Sequence, residues 1–295
     1  MLYLFKFFIK KLNCYIELIK PRIVFSNLLS ALAGYFFALK NNNINIIIFV
    51  FMIIGLFCII SCGCVLNNIF DRKNDKKMKR TMNRILVKNK IFLKKSIIFS
   101  IFLFFIGSFF LYFFVNKLVY FISLIGLFIY VILYTIILKK KYTYSTLIGA
   151  FSGSCPILVG YFSVKNYNIF YSFFLFLIFF FWQIPHSYSI SLLYLKDYKK
   201  ANIKVFPMVN NFQTTLFHMY IYVNLLIFFT FILGIISYLN NFHLIIFLLL
   251  GFFWLFLISK GNNIFLNYSN WLSNIFKFSI FYIFFFNISI CLNYK

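Results

Sequence analysis

Asn67-Asn68-Ile69-Phe70-Asp71-Arg72-Lys73-Asn74-Asp75-Lys76-Lys77-Met78-Lys79-Arg80-Thr81-Met82-Asn83-Arg84 follows directly on a charge-free, apolar run over residues 44–66. A run of that length can cross the roughly 30 Å of hydrocarbon in a bilayer as a helix, and the burst of charge after it marks the return to water. The same alternation extends through the chain of 295 residues, of which 63% are hydrophobic and 11% charged, with a mean hydropathy of +0.94. A soluble domain carries about a quarter of its residues as charges, so a water-soluble fold is excluded and most of the surface must face lipid.

Gaps between the charges supply nine apolar stretches, approximately 23–39, 44–66, 97–116, 118–138, 142–164, 168–192, 215–239, 242–259 and 278–294. The expected fold is an all-α integral membrane protein, a bundle of nine transmembrane helices forming one domain over 1–295, with its active site on the cytoplasmic side. The seventh and eighth stretches share one charge-free run, and Asn240-Asn241-Phe242-His243 is the natural break. Residues 1–20 carry Lys6, Lys10 and Lys11 among apolar residues and show no small-residue cleavage site, which fits an interfacial helix better than a signal peptide.

The chain has 29 Lys and Arg against 4 Asp and Glu, a net charge of +25. Clustered basic residues can bind nucleic acid, but here 25 of the 29 fall on one set of alternating segments, eleven of them in the loop after the second span. Lys40, Lys117, Lys165 and Lys295 fall on the other side. By the positive-inside rule this places the N-terminus in the cytoplasm, so the excess reads as an orientation signal and nucleic acid falls away as a partner. Cys58, Cys62 and Cys64 lie inside an apolar run and read as small buried side chains rather than a metal site.

Any chemistry that needs a carboxylate must use Glu17, Asp71, Asp75 or Asp197. If the second helix runs past the membrane face, Asn67, Asp71 and Asp75 fall at i, i+4 and i+8 and form one stripe. Like charges at that spacing weaken a bare helix, whereas a divalent cation between them reverses the sign. Mg²⁺ takes a few carboxylate oxygens and shares the rest of its shell with phosphate and water, and Lys73, Arg80 and Arg84 stand nearby as partners for phosphate oxygens. The alternative is that the two acids only neutralise neighbouring lysines on a solvated face. The second motif segment, within 193–212 and the end of the sixth span, comprises Trp182-Gln183-Ile184-Pro185-His186 and Lys196-Asp197-Tyr198-Lys199-Lys200-Ala201-Asn202-Ile203. His186 is a histidine within a span that something must satisfy, by packing or by ligation.

The run Asn67-x-x-x-Asp71-x-x-x-Asp75 with Arg80-Thr81-x-x-Arg84 resembles the first aspartate-rich motif of the UbiA superfamily of intramembrane prenyltransferases. The Pro185-His186 segment, Lys196-Asp197-Tyr198 and Lys20-Pro21-Arg22-Ile23 are similar to its haem-modifying branch, and the nine spans match over nearly the whole chain. The resemblance implies transfer of a farnesyl group from farnesyl diphosphate to a vinyl group of haem B, with addition of water, for haem-copper oxidase assembly in a bacterial inner membrane. It implies Mg²⁺ on Asn67, Asp71 and Asp75, and catalytic roles for Arg80, Arg84, Lys196 and Asp197. Arg22, Lys73 and Tyr198 are implied to contact substrate, and His186 to ligate or orient haem. Ala201 stands where the wider superfamily has a further aspartate, as in the haem branch. Ile85 and Lys204 stand where the branch usually has proline.

Two competing readings follow different chemistry. A prenyltransferase acting on an aromatic quinone precursor would be expected to have a second aspartate pair, which Ala201 contradicts. A cation-coupled transporter would hold its acids near the bilayer midplane on interrupted helices, whereas Asp71 and Asp75 lie at the rim beside arginines.

Overall fold

The computed structural model describes residues 11–39, 43–164, 167–237, 241–263 and 268–292, which hold helices and no strand. In chain order these are α1 (11–18), α2 (Pro21–Leu39), α3 (Ile46–Asp75), α4 (Leu93–Phe110), α5 (Lys117–Phe128), α6 (Ser145–Tyr161), α7 (Ile169–Leu193), α8 (Leu195–Lys200), α9 (Phe206–Val209), α10 (Phe212–Ser237), α11 (Asn241–Ser259) and α12 (Tyr268–Leu292). α4 and α5 continue as π-helical segments, Leu111–Val115 and Ile129–Leu138. Eight of these helical segments are long and apolar enough to span a membrane, and the ninth expected span, α6, is a shorter apolar helix of 17 residues.

α3 starts at Asn45, whose side chain accepts the Ile48 N–H at 3.2 Å, and continues for 30 residues. At 1.5 Å per residue it is about 45 Å long, more than the hydrocarbon thickness, so its last turns carry Asn67, Asp71 and Asp75 to the rim. The last expected span is longer than its charge-free stretch. α12 begins at Tyr268 and carries Lys277 on its exposed side, so a single lysine divided in sequence what is one helix. Asn240 lies outside the described residues, while Asn241-Phe242-His243 form the first turn of α11. Residues 1–10 of the expected interfacial segment also lie outside them, and so do Lys40, Lys165 and Lys295.

The bundle is patterned for lipid. α4 exposes Phe102, Phe105 and Phe109 and buries Ser96, Ser100, Leu103 and Gly107. Lipid offers no hydrophobic drive for helices to associate, so contact depends on small residues that let backbones approach. Gly34 of α2 and Gly160 of α6 show this most clearly. A Cβ on Gly160 would lie 1.8 Å from the Ala31 carbonyl oxygen, and one on Gly34 would lie 2.1 Å from that of Ile157. The main core lies between these two helices and α7, α10 and α12.

Replacing Gly160 by Ala should force α2 and α6 apart and destabilise the protein by about 1–3 kcal/mol, read as a lowered thermal transition in detergent. Gly63→Ala should cost less, because its new Cβ meets only side chains, Leu127 at 3.1 Å and Tyr130 at 3.2 Å. Equal losses for the two variants would contradict this packing.

Candidate active site

Helix periodicity brings the acidic stripe to one place. Asn67, Asp71 and Asp75 share a face of α3 and all are buried, Asp71 to 2% exposure and Asp75 to 4%. Charges at that depth need partners, and each carboxylate has a cation. The Lys139 Nζ donates to Asp71 Oδ2, and the Arg84 guanidinium donates to Asp75 Oδ2 at 2.6 Å. Asn67 joins the two sides. Its amide donates to Asp71 Oδ2 at 2.9 Å and to Thr135 Oγ1 at 3.1 Å, and its carbonyl oxygen accepts from Lys20 Nζ at 2.5 Å. Thr135 itself donates to the Tyr130 carbonyl at 2.8 Å, five residues back, the reach of a π-helical turn.

Four cations, Lys20, Arg80, Arg84 and Lys139, line the same cavity of about 360 Å³. Lys20 sits at the junction of α1 and α2 with φ of 57°, a left-handed conformation that costs a non-glycine residue roughly 1–2 kcal/mol. Pro21 then starts α2 where a missing N–H does no harm. Burial, and next the charge of Arg84, pull the Lys20 amine down to about 8. Burial also acts to lower Lys139, but Tyr134 and Asp71 outweigh it and hold that amine above its ordinary value. The Arg80 backbone N–H donates to Asp197 Oδ2 at 3.0 Å, and its guanidinium lies 4.6 Å over the Tyr194 ring. Thr81 Oγ1 donates to the Asp75 carbonyl at 3.2 Å, closing the first loop back on α3.

Deeper in, the cavity is walled by α3, α5 with its π-helical extension, α6 and α7. Tyr130 and Tyr134 stack with centroids 6.0 Å apart on one wall, where Gly149 of α6 packs against Tyr134, and Gly153 of α6 packs against Gln183 of α7 on another. The result is a cation-rimmed mouth over an interior that mixes apolar side chains such as Leu56, Ile59 and Leu127 with hydroxyl and amide groups. Asn67, Asp71 and Asp75 provide hard oxygen donors suited to Mg²⁺. Among the described residues no cluster of three His, Cys, Asp or Glu exists, so a bound ion would complete its shell with ligand oxygens and water.

Most of the sequence-derived candidates converge here, and four do not. Asn67, Arg80, Arg84 and Tyr198 line the cavity, and Asp71 and Asp75 hold its cations in place. Lys73 is exposed, because two residues beyond Asp71 is about 200° round the helix. Lys196 and Arg22 are exposed for the same reason of orientation, next to the buried Asp197 and to Lys20, of which Lys20 lines the cavity. His186 lies on the side of α7 away from the cavity. Its Nδ1 is 2.7 Å from Ser279 Oγ of α12, and its ring packs between Trp182 and Phe276. Asp197 is buried against the first loop rather than open to the cavity. Lys20, Lys139, Thr135 and Gln183 were not singled out from sequence; Lys20 and Gln183 stood inside quoted motifs, and Lys139 stood within a lysine run.

A model of the UbiA prenyltransferase family matches residues 27–282. A protein named protoheme IX farnesyltransferase from Baumannia cicadellinicola subsp. Homalodisca coagulata is 39% identical over 270 residues, 91% of this chain and 93% of that one. Another of that name from Aliivibrio salmonicida is 43% identical over 209 residues, 71% of this chain and 72% of its own. Among solved structures, a digeranylgeranylglyceryl phosphate synthase superposes with a TM-score of 0.80 at 20% identity, covering 97% of this chain and 99% of its own. A UbiA homolog from Archaeoglobus fulgidus, bound to GPP and Mg²⁺, does so with 0.67 at 14% identity, covering 95% and 99%. The chain belongs to the UbiA prenyltransferase family, with the protoheme IX farnesyltransferases as its relatives.

Proposed function

We propose that this protein transfers the farnesyl group of farnesyl diphosphate to a vinyl group of haem B, with addition of water, giving haem O and diphosphate. The observation that supports a prenyl diphosphate substrate is the ring of Lys20, Arg80, Arg84 and Lys139 around the Asn67-Asp71-Asp75 stripe, set over a cavity partly lined by aliphatic and aromatic side chains. The relatives named protoheme IX farnesyltransferase support haem B as the acceptor. The N-terminus and the site face the cytoplasm of a bacterial plasma membrane, a reading that rests on the distribution of lysines and arginines and on the bacterial relatives.

Diphosphate leaves only when its charge is neutralised. Mg²⁺ held by Asn67, Asp71 and Asp75 would supply that electrostatic stabilisation as the C1–O bond breaks. The chain's own part is an exchange of partners: Lys139 and Arg84, paired with the carboxylates, turn to phosphate oxygens beside Lys20 and Arg80. Asp197 keeps Arg80 in register by its bond to the backbone. The farnesyl tail lies along the apolar walls, where water is kept from the allylic cation, and Tyr130 and Tyr134 present aromatic faces to it.

Purified protein given haem B, farnesyl diphosphate and Mg²⁺ should form haem O, identified by mass, and chelation should stop it. No product with all three present would end this reading. Asp75→Asn is the cleanest test of the metal stripe, because its partner Arg84 is 31% exposed and water can take over its charge. Turnover should fall by at least about 10²-fold with the helical content intact; near-normal rates would remove Asp75 from the site.

Asp197→Ala should raise KM for farnesyl diphosphate several-fold by loosening Arg80, whereas Lys196→Ala should change little. The opposite ranking in steady-state kinetics would reverse these assignments. His186→Ala should lower stability by about 1 kcal/mol through its lost bond to Ser279 and leave farnesyl diphosphate affinity unchanged. A loss of haem affinity without loss of stability would instead make the imidazole a haem ligand.

A further inference from the structure

Hydroxyl groups inside this bundle are mostly spent on their own helix. Around the cavity, Ser123, Ser152 and Ser191 each donate to a carbonyl three or four residues back, and Asn27 does the same. Ser145 and Thr146 at the start of α6 are not so spent, and the same holds for Gln183 and Ser187, the pair on α7. They stand at i and i+4, both line the cavity, and neither the amide nor the hydroxyl hydrogen-bonds to a described residue. The Gln183 amide lies flat against Gly153, so close that a Cβ there would meet Oε1 at 2.0 Å, and the glycine leaves it room to face the interior.

In a membrane-embedded wall such groups are costly unless something polar meets them. Side chains at i and i+4 have Cβ atoms about 5–6 Å apart, a span that one water molecule can bridge. Their depth also suits the chemistry. α3 and α7 end on the same side, since Asp197 just after α7 binds Arg80 just after α3. Counting back from those ends at 1.5 Å per residue, Asp71 lies about 6 Å in, Ser187 about 9 Å and Gln183 about 15 Å. The pair therefore begins within one turn of the level proposed for the diphosphate and extends inward from it.

We propose that Gln183 and Ser187 hold the water that is added to the haem vinyl group. The inference rests on the farnesyl-transfer reading above. The C1–O bond of farnesyl diphosphate breaks and its electron pair leaves on diphosphate. The vinyl π electrons form the new bond to C1, and the positive charge moves to the vinyl carbon attached to the porphyrin. A lone pair of the held water closes on that carbon, and the proton it sheds passes to the diphosphate. A fixed water resolves a conflict inherent in the reaction: free water would hydrolyse the farnesyl cation, while no water would leave the second cation to lose a neighbouring proton and become an alkene.

The test is the product ratio in the purified, full-length protein supplied with haem B, farnesyl diphosphate and Mg²⁺. In water labelled with heavy oxygen, wild type should place one label in haem O. Gln183→Leu and Ser187→Ala should each shift the farnesylated haem towards a species lighter by one water, raising its ratio to haem O by about tenfold, the factor one hydrogen bond commands. Gln183→Glu, which still accepts from water, should restore haem O. An unchanged ratio in both Gln183→Leu and Ser187→Ala would overturn the proposal. So would loss of all farnesylated product in both with Gln183→Glu equally inactive, since the pair would then hold the porphyrin. Failure of the wild type to make haem O would overturn the farnesyl-transfer reading itself.

Discussion

Two carboxylates buried in a rim crowded with lysine and arginine are the constraint to which the rest of the site answers. Eleven basic residues fall between 67 and 95, and Asp71 and Asp75 are the only acids among them. A carboxylate buried this deeply needs a cation or hydrogen-bond donors beside it, and each of the two has one. The pairs Asp71–Lys139 and Asp75–Arg84 therefore fix where α3 ends, where the π-helical segment after α5 ends, and how the first loop folds back. The same groups that hold the rim together are those proposed above to engage the diphosphate, so in that proposal structure and chemistry draw on one set of charges.

That dependence explains the local backbone around the site. A straight α-helix after Phe128 would turn Thr135 and Lys139 through different angles. The π-helical geometry of Ile129–Leu138 lets Thr135 bond back five residues to Tyr130 and accept from Asn67, and it delivers Lys139 to Asp71. π-helical turns are rare and concentrate at functional sites. Lys20 shows the same principle at a single residue, where a left-handed backbone angle is tolerated at the point from which its amine reaches Asn67.

The fold was legible because lipid imposes so strict a pattern. Charge-free gaps located the helices, and only a lysine on the exposed side of α12 and the short α6 disturbed that reading. The acidic stripe was legible because four-residue spacing on a helix admits one geometry. Adjacency in sequence does not give orientation. Arg22, Lys73 and Lys196 stand within two residues of Lys20, Asp71 and Asp197 and are exposed, whereas those three are buried or line the cavity. Lys139 stayed hidden for another reason: a lysine at a membrane face already has an explanation as an orientation signal. Nothing in Ile129–Leu138 announces a π-helix.

Composition carries a subtler message once the cavity is known. Phenylalanine occupies 48 of 295 positions, yet α6, packed against α2, α5 and α7, contains one, at Phe151. Elsewhere a large apolar side chain serves on the lipid face and in the core alike. In α6 the available space is set by backbone on one side, where Gly160 meets Ala31, and by cavity on the other, where Gly149 meets Tyr134 and Gly153 meets Gln183. A phenyl ring at any of these would close the interior or separate the helices. In a chain this rich in phenylalanine, a stretch that stays small marks where volume is already committed, on one side to the close approach of α2 and on the other to the cavity.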